Sequence, residues 1–188
     1  LASLANSLTG LVDNGAQVAN MSFQAPRRDC TTNPDMFCDA LAYATQRDVF
    51  MVAASGNGDN GPMDIAFPAH DPRVLAAGGI IPDGTFWGTC NFSTDVNRAC
   101  PSASGADQEV VSPARQILST FYRGLPHAAP NCAETTTGAG YGPCTGTSMA
   151  SPETASVAAL ARSVNPLLSQ DNVQTLLRNT ASFGVFHD

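Results

Sequence analysis

Hydrophobic residues recur along the first part of the chain with two alternating spacings. Residues 1–12 carry leucine or valine three or four positions apart, which predicts an amphipathic helix that stops at Gly15. Residues 16–23 form a short apolar run that predicts a buried strand. The alternation repeats, with helical spacing over residues 37–45 and a second apolar run at residues 49–55. Helix and strand therefore alternate, which is typical of βαβ units.

Strands that are apolar on both faces predict a parallel sheet covered by helices on each side. Residues 74–80 continue the pattern as a third strand. Residues 82–141 mix Gly, Pro, Asn and Cys with short β-like runs, and they predict loops and later, partly antiparallel strands. The predicted fold class is therefore α/β, a doubly wound parallel sheet with flanking helices.

Two more helices are predicted near the end of the chain. The first covers residues 148–164 and stops before Pro166, because proline disfavours the helical conformation in the residue that precedes it. One face of this helix consists almost entirely of small residues, so we expect it to be tightly buried. The second helix begins after Ser169, a suitable N-cap, and carries Val173 and Leu177 on one face.

The composition fits one well-packed domain and argues against two classes of partner. The chain has 188 residues, 43% hydrophobic and 13% charged, which suffices for a single domain with a substantial core. Its net charge is −7 with only nine Lys and Arg, so no nucleic-acid partner is expected. No apolar run reaches transmembrane length, so no membrane partner is expected either. The chain opens on LASLANSLTG without Met or a signal-peptide pattern, and we expect a processed piece or a fragment.

The six cysteines fall into three local pairs within loops. No CxxC occurs, and no Cys/His grouping has zinc-ligand spacing. We predict the disulfides Cys30–Cys38, Cys90–Cys100 and Cys132–Cys144, although other pairings are open. Disulfides form in oxidising compartments, so this pattern predicts a secreted protein, extracellular or periplasmic. Six free thiols in a cytosolic protein are the alternative.

Ser148 and Asn57 carry the candidate chemistry. Ser148 lies where a helix begins, and free backbone N–H groups there favour negative charge, such as the oxyanion formed when a serine attacks a carbonyl. Asn57 follows an apolar strand within ASGNGDNG, where a side-chain amide can donate to such an oxyanion. Each residue has a simpler interpretation, Ser148 as a helix cap and Asn57 as part of a turn.

The segments GTSMASP, around Ser148, and VAASGN, ending at Asn57, carry a family resemblance. They resemble the nucleophile motif and the oxyanion-asparagine motif of the subtilisin-like serine proteases, the subtilases. FPAHDPRVLAAGG, NFS, EVVSPARQILST and LVDNGAQVANMSF resemble further segments of the same family. The resemblance covers essentially the whole chain. It implies that residues 1–188 are the C-terminal portion of a single subtilisin-like catalytic domain, with the N-terminal part absent.

This resemblance implies a serine endopeptidase that acts on polypeptide substrates and requires no cofactor. Ser148 would be the nucleophile, Asn57 the side-chain oxyanion donor, and Thr147 a support for the oxyanion site. One segment would pair with the substrate backbone as an added strand, and others would line the primary specificity pocket. The implied substrate-binding residues are Ser22, Phe23, Gln24, Ala25, Ala54, Ser55, Gly56 and Ala66.

The pocket walls are small and neutral, which predicts a roomy apolar pocket with a hydrophobic or aromatic preference. Some positions depart from the family's pattern, however. Gln24-Ala25 replaces a Gly-Gly, which crowds the cleft, and Glu153 replaces a His, which would be costly if fully buried without a partner. Pro152 lies near the start of its helix, where we expect it to cost little.

A serine protease of this kind also needs a histidine base and a carboxylate that orients it. Subtilases carry these upstream, in Asp-Thr-Gly or Asp-Ser-Gly and His-Gly-Thr-His motifs, and neither motif occurs here. The family's order places both before Met21, where the chain has no His, and Asp13 fits the solvent side of a helix end. We interpret His70, His127 and His187 as exposed loop residues.

Three explanations remain for a nucleophile without its base. In the first, the chain is the later part of an active protease whose N-terminal part carries Asp and His. In the second it is a non-catalytic subtilase-like binding protein, and in the third a structural domain with a relic motif. We favour the first, and we expect the chain alone to be inactive. The resemblance also implies a structural Ca²⁺ held by backbone carbonyls at the turn formed by Ala69, Asp71 and Val74, with an ordinary turn as the alternative.

Overall fold

The computed structural model describes residues 1–57, 65–80, 110–120, 132 and 140–181. Helix and strand alternate at the start of the chain, as the hydrophobic pattern predicts. The elements in chain order are α1 (Ala2–Asp13), β1 (Val18–Met21), α2 (Met36–Gln46), β2 (Phe50–Ala54), β3 (Leu75–Ile80), β4 (Val110–Pro113), β5 (Ile117–Thr120), β6 (Tyr141–Cys144), α3 (Thr147–Val164) and α4 (Gln170–Thr180).

Four strands form one parallel sheet in the order β1-β2-β3-β4. Met21 at the end of β1 pairs with Ala53 of β2, and Ala54 of β2 pairs with Ala77 of β3. Because the strands run in the same direction, their carboxyl ends lie along one edge of the sheet. The predicted α/β class, a parallel sheet with flanking helices, is confirmed.

Alternate residues of β2 face two different hydrophobic clusters. Met51 and Ala53 belong to a cluster that includes the buried faces of α1 and α2. Phe50 and Val52 belong to a second cluster with residues of α3 and α4. All five residues of β2 are buried, because helices cover the sheet on both sides. The apolar run at residues 49–55 is therefore explained as predicted, by burial of the strand on both faces of the sheet.

Two of the three predicted disulfides are confirmed. Cys30 is bonded to Cys38, which ties the loop before α2 to the first turn of that helix. Cys132 is bonded to Cys144 at the end of β6. The third predicted pair, Cys90–Cys100, lies outside the described residues.

Two features of the later elements differ from the sequence prediction. β6 was missed because YGPC contains glycine and proline, and it is held by antiparallel pairing with β5. Helix α3 is buried on its small-residue face, as predicted, but large apolar side chains extend from its other face, where Val157, Leu160 and Val164 are exposed.

Arg162 is a charged residue buried within the small-residue face of α3, with 5% of its surface exposed. Its guanidinium donates to the backbone carbonyls of Gln17 at 2.9 Å and Asp48 at 2.8 Å. It also pairs with the Asp48 carboxylate at 3.2 Å. One side chain thus ties α3 to the residues that precede β1 and β2.

We expect Arg162→Ala to lower the free energy of unfolding by about 3 kcal/mol, because the Gln17 and Asp48 carbonyls lose charged donors that tie α3 to the sheet. Urea unfolding followed by circular dichroism measures the change. Arg47→Ala is the matched control, since Arg47 is exposed and its guanidinium stacks on the Tyr43 ring at 4.6 Å. The control should cost less than about 1 kcal/mol. Equal losses in the two variants would contradict this role for Arg162.

Candidate functional site

The predicted site residues meet at the carboxyl ends of β1 and β2. β1 leads into Ser22, and β2 leads into the segment Ser55 to Asn57. The two strands are neighbours in register, so these segments leave the sheet side by side. Helix α3 begins between them at Thr147, which brings Ser148 to the same edge. The sheet topology therefore unites residues that lie far apart in the sequence.

Ser148 is held against the end of β1 by two reciprocal hydrogen bonds. Its hydroxyl donates to the Ser22 carbonyl at 3.3 Å, and the Ser22 hydroxyl donates to the Ser148 carbonyl at 2.8 Å. In the described part of the chain, the partner of Ser148 Oγ is thus a carbonyl oxygen rather than a histidine. The Ser148 side chain is partly exposed, as a group that must meet a ligand requires.

Pro152 explains why the Ser148 carbonyl accepts a side-chain hydroxyl. Pro152 is the sixth residue of α3, so in a regular helix its N–H would bond to Ser148, four residues earlier. Proline has no N–H, and Ser22 supplies the missing donor instead. The expectation that Pro152 costs little because early N–H groups have no partner was wrong in its reason. The lost bond belongs to Ser148, and the tertiary fold replaces it.

Thr147 fixes the orientation of the Asn57 side chain. Asn57 Oδ1 accepts hydrogen bonds from the Thr147 amide and the Thr147 hydroxyl, both at 3.0 Å. The same hydroxyl accepts from the Gly56 amide at 3.2 Å, and Thr147 is only 1% exposed. With Oδ1 directed at the start of α3, the side-chain NH₂ of Asn57 points away from Thr147. A donor oriented beside a serine in this way can stabilise an oxyanion.

Gly146 forms the sharp entry into α3. Its φ of +152° lies in a region that residues with a side chain rarely adopt. A Cβ there would lie 3.5 Å from Asn57 Nδ2 and 3.8 Å from the Ser148 amide nitrogen. Because Gly146 has no side chain, nothing at this position separates the Asn57 side-chain amide from the first turn of α3.

Two residues that position Ser22, Asn20 and Ser151, were not predicted from the sequence. Asn20 Nδ2 donates to the Ser22 hydroxyl at 3.0 Å, and the Ser151 hydroxyl donates to Asn20 Oδ1 at 2.6 Å. A chain of hydrogen bonds therefore runs from Ser151 of α3 through Asn20 and Ser22 to Ser148. The polar Asn20 within an otherwise apolar strand was the available signal.

The segment predicted to pair with a substrate strand is only partly able to do so. Phe23 turns its ring toward the core, where it meets Phe37 edge to face at 5.8 Å. Ala25 uses both backbone groups on Phe67, donating at 2.8 Å and accepting at 3.1 Å. The expected role of Ala25 in strand pairing is therefore corrected, because its ladder bonds are already made. The role of Ser22 to Gln24 in pairing with a substrate stays a prediction.

The residues predicted to form a pocket lie together, and the Gln24 side chain lies among them. Ala66 donates its amide to the Ser55 carbonyl at 2.9 Å, and Ala54, Ser55 and Ala66 are buried. Gln24 extends across the gap, and its Oε1 accepts from the Asn57 amide at 3.1 Å. The prediction of a roomy apolar pocket rested on the small residues and did not include the side chain of Gln24.

The three histidines give no base for Ser148 among the described residues. His70 lies in the turn after Phe67, and its ring packs on Phe67 at 5.7 Å. It is half-buried rather than exposed, which corrects its predicted environment. His127 and His187 lie outside the described residues. The predicted separation of the nucleophile from its base therefore stays a prediction.

The turn predicted to bind calcium has its acidic side chain occupied. Both Asp71 carboxylate oxygens accept hydrogen bonds from Arg73 at 2.7 Å, and the Asp71 carbonyl accepts from the Val74 amide at 2.9 Å. The hydrogen bond to Asp71 raises the pKa of Arg73 above its ordinary value. The predicted donors are backbone carbonyls rather than the Asp71 carboxylate, and the calcium site at Ala69, Asp71 and Val74 stays a prediction.

Glu153 lies in the second turn of α3 and is half-buried, so it does not carry the cost of a fully buried carboxylate. Partial burial raises the pKa of its carboxyl above the ordinary value, because desolvation disfavours the charged form.

Comparison with known proteins identifies the family. The Subtilase family profile matches residues 1–187. M-protease of Shouchella clausii is 34% identical over 184 residues, which cover 97% of this chain and 39% of that protein. Subtilisin BL of Lederbergia lenta is 33% identical over 184 residues, 97% of this chain and 55% of that protein. A solved protease from Pseudoalteromonas arctica shares the fold with a TM-score of 0.73 at 20% identity, covering 98% of this chain and 53% of the other.

The chain thus spans about half the length, or less, of the relatives it matches. No helix in the described part of the chain is long and apolar enough to cross a membrane. The parallel sheet, the serine at the start of α3 and the oriented asparagine accompany a family match that extends over nearly every residue. The chain belongs to the subtilase family.

Proposed function

We propose that this chain forms the nucleophile-bearing part of a serine endopeptidase. The observation that carries the proposal is the double hydrogen bond from Thr147 to Asn57 Oδ1, which orients an amide donor beside Ser148. A helix cap or an ordinary turn has no need of this arrangement. Family membership supports the same chemistry.

In the proposed reaction, a peptide lies along Ser22 to Gln24 as an added strand, with its scissile carbonyl above Ser148. Ser148 Oγ forms a bond to the carbonyl carbon while its proton passes to a histidine base. The oxyanion that develops accepts hydrogen bonds from Asn57 Nδ2 and the Ser148 amide. The amine leaves with a proton from the histidine, and water then hydrolyses the acyl-serine. These steps require no metal or organic cofactor.

The histidine and its carboxylate partner are proposed to come from the N-terminal part of the same protease. Two surfaces of this chain are suited to receive it. Within the described residues β1 pairs on one side only, with β2, so its other edge can accept a further strand. The outer face of α3 exposes Val157 by 51%, Leu160 by 65% and Val164 by 87%, an apolar surface that a second part of the domain would cover.

The proposed localisation is extracellular or periplasmic. Cys30–Cys38 and Cys132–Cys144 are both oxidised in the structure, and such bonds persist in oxidising compartments.

A fluorophosphonate probe tests the proposed function, because it reacts with a serine only when that serine is activated by a base. We expect labelling of Ser148 in the complete protein, the natural polypeptide that carries this chain together with the Asp and His motifs. We expect none in residues 1–188 alone. Mass spectrometry of the labelled peptide identifies the site.

Two outcomes would contradict this assignment. Strong labelling of residues 1–188 alone would mean that a base exists within the chain. If the complete protein neither reacted with the probe nor cleaved peptides, a non-catalytic binding role would replace the peptidase.

A further inference from the structure

Gln24 joins the two segments that flank the nucleophile. It follows β1, whereas Asn57 follows β2, and its Oε1 accepts a hydrogen bond from the Asn57 amide at 3.1 Å. The side chain therefore crosses the gap between these segments on the side where Ser148 meets the end of β1. The preceding residue, Phe23, points into the core, so Gln24 extends to the opposite, cleft side of the extended chain.

The space around the Gln24 carboxamide is tight. A Cβ added to Gly56 would lie 3.0 Å from Gln24 Oε1 and 3.2 Å from the Ala66 Cβ. Glycine at position 56, with a φ of +109°, is thus what allows the glutamine oxygen to approach this wall. Gln24 Oε1 and the Ala66 Cβ thus both approach Gly56, one of the residues predicted to line the primary specificity pocket.

We propose that Gln24 closes the primary specificity pocket, so that the peptidase cleaves after small residues such as glycine and alanine. The inference rests on the proposed function and specifies its substrate class. A large residue on the acyl side of the scissile bond must displace the Gln24 carboxamide and break its bond to the Asn57 amide. A small residue leaves both in place.

The same bond links specificity to the oxyanion site. Gln24 holds the Asn57 backbone from one side while Thr147 holds the Asn57 side chain from the other. A large residue in the pocket would therefore also disturb the residue proposed to stabilise the oxyanion. We expect the discrimination to be expressed in kcat as well as in KM.

The test measures kcat/KM of the complete protein on peptides that differ only in the residue before the scissile bond, alanine or phenylalanine. The wild type should prefer alanine by about 100-fold, and Gln24→Gly should reduce this preference at least about tenfold by opening the pocket. Gln24→Glu keeps the size and the acceptor oxygen and should retain discrimination against phenylalanine. Gln24→Ser is a second opened variant, should the glycine destabilise the segment.

Fluorophosphonate labelling of Ser148 in the same samples separates the possible failures. If the wild type is labelled but cleaves after phenylalanine as well as or better than after alanine, only the specificity inference is overturned. An unchanged preference in labelled Gln24→Gly or Gln24→Ser would do the same. Absence of labelling in the wild type would overturn the proposed function, and the inference with it.

Discussion

Replacing Ser148 with alanine should lower kcat of the complete protein for peptide hydrolysis by about 10⁶-fold, the loss that removal of the nucleophile causes in subtilisin. The reason is its place in the fold, because Ser148 lies in the first turn of α3 and directly follows Thr147, which orients the Asn57 side chain. Without it, the oxyanion donors and the binding cleft remain, but no acyl-enzyme forms. Steady-state hydrolysis of a chromogenic peptide with alanine before the scissile bond gives the measurement.

Ser156→Ala is the matched control for Ser148→Ala. Ser156 lies in the same helix, is exposed, and donates its hydroxyl to the Pro152 carbonyl. Its loss should leave kcat within about twofold of the wild type, since surface substitutions away from special features have small effects. If Ser148→Ala kept a tenth of the activity, another nucleophile would have to be sought.

Replacing Asn57 with alanine should lower kcat by about 10²–10³-fold with little change in KM, as loss of the oxyanion asparagine does in subtilisin. The amide is proposed to donate to an oxygen that becomes negative only in the transition state, so substrate binding should be almost unaffected. Kinetics of the same chromogenic peptide with the complete protein separate kcat from KM.

Thr147 variants sharpen the interpretation of the Asn57 result. Thr147→Val removes the hydroxyl that bonds to Asn57 Oδ1 and receives the Gly56 amide, while the backbone bond to Asn57 survives. Its effect on kcat should be smaller than that of Asn57→Ala, and Thr147→Ser should restore most of the activity. A rise in KM without loss of kcat in Asn57→Ala would refute the oxyanion role, because it would indicate a group that only binds substrate.

Local patterns in the sequence were sufficient to predict most of the elements. Each of β1 to β3 and each of the four helices follows from hydrophobic spacing, with Ser169 capping α4 as expected through its bond to the Asn172 amide. Segments whose stability is not local were harder to predict. β6 contains Gly142 and Pro143, and it exists as a strand because β5 lies beside it. The buried position of Arg162 could not be predicted either, because its partners Gln17 and Asp48 lie more than 100 positions away in the sequence.

The sequence by itself determined the family, the order of helices and strands, two disulfides, and the pair Ser148 and Asn57. Each of these depends on residue types at short spacing, or on motifs that can be compared directly. Only the tertiary structure decided how the cleft is shaped. The Ser22 hydroxyl replaces the helix hydrogen bond that Pro152 removes. The backbone of Ala25 pairs with that of Phe67, and the Gln24 side chain accepts a hydrogen bond from the Asn57 amide. These contacts join residues between 33 and 126 positions apart. Whether a side chain fills a gap or only lines it depends on the distance between the two walls of that gap. That distance is set by the packing of the sheet and α3, which no local pattern specifies.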